Sequence, residues 1–220
     1  GNNPQYITIN SSGIGYVTNY DDDSIGILDL DNRTVLSTIT GITHPLDIGL
    51  NQNTNKLYTI NAGTTLSANR ISSIDLQTNT ITPIALTSST VEFASLPGGL
   101  AVDYSANIIY TEQLRYSDGT NRVFIINGQN NTVSVSSNNV SPVGSFYSSH
   151  TRLDKQNNQL YITRSSQGAL ADVGLCVYDI STNTATNYDI TTAAQNDISW
   201  DVGFSSSYIY VTITNRNMVA

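Results

Sequence analysis

The chain has 220 residues, of which 39% are hydrophobic and only 12% charged, and its formal net charge is −8. Such a length suits one domain with a substantial core. The charge balance excludes the clustered cations that nucleic acid or an anionic membrane surface requires. Asn, Ser and Thr stand where charges usually do, and lysine occurs only at Lys56 and Lys155, a composition that suggests an exported or cell-surface protein.

In chain order, the first predicted strand closes on Ile9, and a second carries Gly15-Tyr16-Val17-Thr18-Asn19. A second hairpin follows over 27–35, turning at Asp29-Leu30-Asp31-Asn32. The pattern then repeats. Leu50 closes a strand, an Asn-rich turn intervenes, and Leu57-Tyr58-Thr59 opens the next strand before a hairpin headed by Asp75. Val102 precedes Ile109-Tyr110-Thr111, with a hairpin at Asn127; Leu153 precedes Leu160-Tyr161-Ile162-Thr163, with a hairpin at Asp179. Val202 and Ile209-Tyr210-Val211-Thr212 begin a fifth unit. The anchor tyrosines are spaced by 42, 52, 51 and 49 residues. Strand signals at a period of 40 to 50 residues mark a β-propeller, one four-stranded blade per repeat. The connecting Asn, Asp and Ser residues accept positive φ and cap their own backbone, so they form tight turns.

Tyr16-Val17-Thr18-Asn19 is the tetrapeptide of the YVTN-type β-propeller repeats, and Ile74-Asp75-Leu76-Gln77-Thr78-Asn79-Thr80 resembles that family's second hairpin. The resemblance implies an all-β propeller, often seven-bladed, of the surface-layer and lactonase-like group of exported proteins. Later units depart from the tetrapeptide, as in Tyr110-Thr111-Glu112-Gln113. The chain reads as one domain with blades at 4–44, 45–97, 98–149 and 150–197 and a partial blade, strands A and B only, at 198–220. An incomplete arc exposes strand edges. Three readings follow: a piece of a larger propeller, which is preferred because repeat arrays need neighbours, a half-ring that self-associates through its edges, or an unusual closure.

Within a propeller the A–B and C–D turns share one face, and here they are short. The B–C connections 61–70, 112–122 and 164–174 and the D–A connections 86–98 and 136–149 are long and dissimilar. Variable loops on a regular scaffold are where binding usually resides. At the channel mouth, the residue three before each strand-A anchor gives the ring Tyr6, Asp47, Gly99, His150 and Ser199. Tyr6, Asp47, His150 and Ser199 are candidate ligand-binding residues; the plainer alternative is a hydrated channel entrance. Trp200 is a candidate stacking platform or an interblade packing residue. His44 precedes Pro45 and reads as a loop-fixing residue. Asp21, Asp22 and Asp23 are candidate Ca²⁺ ligands, but they lack the glycine-punctuated spacing of a calcium loop, and a solvated acidic turn is preferred.

Cys176 is the lone cysteine, which rules out an intrachain disulfide and reads as a small buried hydrophobe rather than a reactive thiol. No signal peptide or spanning segment is evident, and the Asn-x-Ser/Thr matches at Asn10, Asn32, Asn130 and Asn139 are expected by chance in such a composition. No Gly-x-Ser-x-Gly elbow, His-Glu-x-x-His or Cys pair is present, and the only glutamates are Glu92 and Glu112. The preferred reading is a non-catalytic binding or cell-surface module that engages a protein or glycan through the long-loop face, with no cofactor. Two alternatives stand beside it. One is a lactonase-like metal-dependent hydrolase built on Asp47 and His150, with Asp201 in support; the other is a structural surface-layer unit that self-associates.

Overall fold

The computed structural model describes residues 1–62, 71–86, 98–114, 121–137, 146–147, 150–166, 172–192, 198–214 and 218–219. Among them every regular element is a β-strand, and no helix is long and apolar enough to cross a membrane. Five antiparallel sheets follow one another along the chain, giving a β-propeller of four blades and a partial fifth.

The first blade is β1 (Pro4–Ile9), β2 (Ile14–Asn19), β3 (Ser24–Asp29) and β4 (Thr34–Thr40) in that spatial order; the second is β5 (Pro45–Asn51), β6 (Lys56–Asn61), β7 (Ile71–Asp75) and β8 (Thr80–Ile84). The third comprises β9 (Leu100–Asp103), β10 (Ile108–Leu114), β11 (Asn121–Asn127) and β12 (Val133–Val135). In the fourth, a two-residue strand β13 (Phe146–Tyr147) pairs with the far end of β15 (Gln159–Ser166). β14 (Thr151–Asp154) pairs with the near end of β15, and β16 (Asp172–Asp179) and β17 (Thr184–Thr192) complete the sheet. The fifth has β18 (Ile198–Phe204), β19 (Ile209–Thr214) and a short third strand β20 (Met218–Val219), where the sequence suggested two strands. Two-residue strands carry no periodicity, which is why β13 and β20 leave no sequence signal.

The chain groups into two compact units. The first holds Gly1–Thr87, Val102–Ile109 and Asn127–Val133, and the second holds Ser88–Ala101, Tyr110–Ile126 and Ser134–Ala220.

All eight A–B and C–D turns of the first four blades use one device. Each is headed by an Asx side chain that accepts backbone N–H groups two to four residues on: Asn10, Asp29, Asn51, Asp75, Asp103, Asn127, Asp154 and Asp179. Each is closed by a residue in the left-handed region: Gly13, Arg33, Asn55, Asn79, Asn107, Asn131, Asn158 and Asn183, with φ between 54° and 74°. Asn tolerates that conformation better than any side chain but glycine's absence of one. The fifth A–B turn differs. There the Ser205 hydroxyl accepts from the Ser207 and Tyr208 N–H groups.

Blades pack face to face through apolar stripes. In the first unit Tyr16, Ile25, Ile39 and Ile42, flanked by Tyr6, Ile14 and Ile27, form one face of the first blade. They meet Ile48, Leu57 and Ile74, flanked by Leu50, Leu76 and Ile81, on the second blade. Ile25, Leu57 and Ile74 are wholly buried, and each contributes about 1.5–3 kcal/mol by leaving water. In the second unit Tyr161 and Leu175 of the fourth blade pack likewise on Val202 and Val211 of the fifth, and the Phe204 ring stands edge-on to Tyr161 at 5.0 Å.

Candidate functional site

Strand register decides where each candidate side chain sits. In the first, second and fifth blades, strand A carries a bulge opposite the second residue after the anchor tyrosine. Such bulges re-aim side chains beside functional sites. In the first blade the Thr18 hydroxyl accepts from the Tyr6 N–H (3.0 Å) and donates to the Tyr6 carbonyl (3.3 Å). Thr163 holds His150 in the same way (3.0 and 3.4 Å), and Thr212 holds Asp201 (2.9 and 3.4 Å). In the second blade Ile60 occupies the clasping position, and Thr59 donates a single bond to the Asp47 carbonyl.

These clasps fix the equivalences. Tyr6, Asp47, His150 and Asp201 occupy one equivalent position, in or just before strand A, in the first, second, fourth and fifth blades. Ser199 does not: it pairs with Ile213, while Tyr210 pairs with Gly203. The fifth A–B turn is two residues shorter than those of the second and fourth blades, where Tyr58 pairs with Gly49 and Tyr161 with Arg152. That shortening moves Asp201 into the place assigned to Ser199 from the sequence. Asp47 and Asp201 also share a local geometry, each carboxylate accepting the N–H of the next residue at 2.8 Å. Asp201 further meets Arg152 at 3.1 Å. The backbone of Trp200 lies in β18, but its side chain and that of Ser199 fall outside the described residues.

Tyr6 and Asp47 belong to the first unit, and His150 and Asp201 to the second. In the second unit Gly99 lies directly against the His150–Thr151 backbone. A Cβ at Gly99 would come within 2.3 Å of the Thr151 nitrogen and 2.8 Å of His150 backbone atoms. Only glycine permits that approach. Glu112 stands at the clasping position of the third blade, where its carbonyl accepts the Gly98 N–H at 2.9 Å. Its side chain is buried, as are those of His150, Thr151, Arg164 and Cys176.

Arg164 shows how this unit holds a buried cation. Arg164 faces Gly174 across β15–β16, and Gly174 faces Asp189 across β16–β17. The guanidinium crosses over Gly174 to reach Asp189 at 2.6 Å and also donates to the Tyr188 carbonyl. A Cβ at Gly174 would stand 2.7 Å from the Arg164 Nη2. Buried charge requires such pairing and bonding. Sequence reading singled out neither Glu112 nor Arg164 as a site residue, because cross-strand register leaves no trace in spacing. The Cys176 thiol is pushed up to about 12 by burial and by the Glu112 carboxylate, against the opposing pull of Arg164. It stays protonated at neutral pH, which removes the nucleophilic thiolate.

The acidic turn and His44 form a separate polar cluster in the first unit. Asp22 accepts the Asn2 N–H (2.7 Å) and its side-chain amide (2.9 Å). Asp23 accepts the His44 N–H at 2.7 Å, and the His44 ring stands edge-on to Tyr20 at 4.7 Å. His44 adopts φ 46° and its carbonyl accepts the Ala62 N–H, so it ties the D–A connection to the B–C turn. The Asp21 side chain is exposed. Among the described residues no group of three or more His, Cys, Asp or Glu side chains is placed to hold a metal ion.

The short-turn side of the first unit spends its polar groups on itself. The Asn51 amide donates to Asn107, Asn53 to the Tyr104 carbonyl, Asn131 to Ser73, and Tyr58 to the Gly128 carbonyl. A cleft of about 350 Å³ opens there between Asn10, Ser11, Ser12, Gln52, Asn53 and Asn55, floored by Tyr16 and Leu50. The carbonyl oxygens of Asn10 and Gln52 within it already serve backbone N–H groups. The long connections 61–70, 86–98, 112–122, 136–149 and 164–174 lie for the most part outside the described residues.

No family model matches the chain, and no curated protein matches it in sequence. Solved structures do resemble it. Hydrazine synthase of Kuenenia stuttgartiensis superposes with a TM-score of 0.72 at 12% identity, over 94% of this chain and 61% of that one. A chain of a nidogen/laminin complex gives 0.71 at 12% identity, over 98% and 74%. The β-propeller domain of Cps50 (Swd1) from Myceliophteria thermophila gives 0.66 at 10% identity, over 98% and 65%. At these identities the likeness establishes the propeller fold. The chain spans about 61% of the length of the first of them.

Proposed function

We propose that this chain is a non-catalytic binding module, displayed outside the cell, that engages a protein partner through the face bearing the long B–C and D–A connections. One observation carries the reading: the eight short turns are built to a single plan, and those of the first unit consume their own polar groups. A surface whose donors and acceptors are already paired gains little by binding, because a new bond must replace an existing one. Sequence variation is concentrated on the opposite connections, the usual location of recognition on a rigid scaffold. The likeness to a chain of a nidogen/laminin complex and to the Cps50 (Swd1) propeller supports a protein partner. The lysine-poor, Asn-, Ser- and Thr-rich composition supports an extracellular setting.

The test uses the purified chain against a panel of purified secreted proteins and printed oligosaccharides. Two variants accompany it: one with 86–98 replaced by a short Asn-Gly turn, and one with Gln52, Asn53 and Thr54 changed to Ala. Binding to a protein that the first variant loses and the second keeps is the expected result. Absence of any bound protein, loss only in the second variant, or binding confined to oligosaccharides would overturn the reading.

A further inference from the structure

Buried charge in the second unit gathers where the third and fourth blades meet. Glu112 and Arg164 are each only 2% exposed. Among the described residues, Arg164 is the one Lys or Arg side chain that is buried. The two stand near the ends of β10 and β15, where the connections 112–122 and 164–174 leave their blades.

Alternation along the strands turns these side chains toward each other. An anchor tyrosine faces the following blade: Tyr16 clusters with Ile48 of the second blade, and Tyr161 with Val202 of the fifth. Glu112 stands two residues after Tyr110, so it shares the face that the third blade turns to the fourth. Arg164 stands three residues after Tyr161 and lies on the opposite face, the one turned to the third blade. Ile162 and Cys176, paired across β15 and β16, share that face. The levels agree as well. The Glu112 carbonyl accepts the Gly98 N–H, Gly99 lies against the His150–Thr151 backbone, and the His150 carbonyl accepts the N–H of Thr163, the residue before Arg164. Cys176 senses both charges. Burial raises its thiol, the Glu112 carboxylate raises it further, and the Arg164 guanidinium pulls it down, so both groups lie within electrostatic reach of one sulfur.

We infer that Glu112 and Arg164 form a buried ion pair across the interface of the third and fourth blades, a lock that ties the roots of the 112–122 and 164–174 connections into one cooperative body. A carboxylate and a guanidinium taken out of water need opposite charge close by. Asp189 does not meet that need on its own, because its side chain is 62% exposed and water screens it. Glu112 is enclosed. Arginine presents five N–H donors in a planar fork, so the nitrogen that serves Asp189 and the Tyr188 carbonyl leaves the rest of the group for Glu112. Backbone ladders join strands within a blade; this pair joins two blades. The lock holds whatever the connections bind, so it does not rest on the binding reading above.

Urea unfolding of a double-mutant cycle is the test, with Glu112→Gln, Arg164→Met and the two combined. Losing either member strands the other charge in the interior, so each single variant lowers the midpoint by about 1 M or more. The combined variant falls no lower than the worse single, whereas independent residues would add their losses. Asp189→Asn, at an exposed position, moves the midpoint less than either. Two further readouts apply to the folded chain. Cys176 is the one cysteine, so its S–H stretching band in the infrared is single, and it shifts in Glu112→Gln. Amide exchange in Arg164→Met quickens in β10 and β11 of the third blade as well as in β15 and β16, and Arg164→Lys, which keeps the charge, restores the third blade. Should Arg164→Met fail to fold, Glu112→Gln decides alone, through the thiol band and faster exchange in β15 and β16. Losses that add in the combined variant, a Glu112→Gln chain with the wild-type midpoint and thiol band, or faster exchange confined to the mutated blade would overturn the inference.

Discussion

Two glycines, Gly99 just before β9 and Gly203 in β18, invite the same substitution and should answer it in opposite ways. At Gly99 an added methyl would stand 2.3 Å from the Thr151 nitrogen and 2.8 Å from the His150 Cα and carbonyl carbon. All three are backbone atoms, so no rotamer change relieves the contact. Overpacking in a well-packed interior costs about 1–3 kcal/mol, and a backbone clash belongs at the upper end of that range. At Gly203 nothing lies within 4 Å of the same methyl. Removing backbone freedom from the unfolded chain there stabilises by about 0.4–1 kcal/mol. Urea unfolding followed by circular dichroism separates the two. With a slope of about 1–3 kcal/mol per molar urea, Gly99→Ala should lower the midpoint by about 1 M while Gly203→Ala holds or raises it. Equal midpoints would refute the close approach of the Gly99 backbone to His150.

Three further outcomes follow from the turns and the core. Hydrogen bonds from the turn N–H groups hold the Asp29 and Asp75 carboxyls below their ordinary range, and the Ser181 hydroxyl followed by the Thr182 N–H does so for Asp179; at Asp154 burial acts upward, and bonds from Asn157, Tyr161 and Gln156 together outweigh it. A carboxyl lowered in the folded state adds stability that is complete above its unfolded pKa of about 3.9 and is lost as pH falls through the folded value. The urea midpoint should therefore be level above about pH 5 and decline below about pH 4, and a level midpoint throughout would contradict the turn geometry. At Asn158, where φ is 56°, Asn158→Ala should destabilise by about 1–2 kcal/mol and Asn158→Gly should not; thermal melts of the pair decide it. Cys176, buried with its thiol raised to about 12, should resist a disulfide reagent at pH 8 until the chain is unfolded, and rapid labelling of the native protein would contradict its placement.

Much of the fold was legible because its signals are local. The anchor tyrosines lie in strand B of each blade, and the Asx residues at 29, 75, 127 and 179 head turns. Each of those features is set by neighbours a few residues away. The site was less legible, since its positions depend on register. Asp201 replaced Ser199 because one A–B turn is shorter, a change visible only once Tyr210 is seen opposite Gly203. The row Arg164, Gly174 and Asp189 joins residues from three strands, and no spacing along the chain announces it. Exposed residues such as Ile7 and Ile9 look in sequence like their counterparts Ile48, which is buried, and Leu50, which is half-buried. What separates them is whether a blade stands in front.

Amide hydrogen exchange on the chain bound to its tightest protein from the panel tests the proposed division of labour most directly. Protection gained across 61–70, 86–98, 112–122, 136–149 and 164–174, with the turns at Asn55, Asn79, Asn107 and Asn131 unchanged, is the result the account predicts. Protection gained at those short turns, with the long connections exchanging as in the free chain, would contradict it.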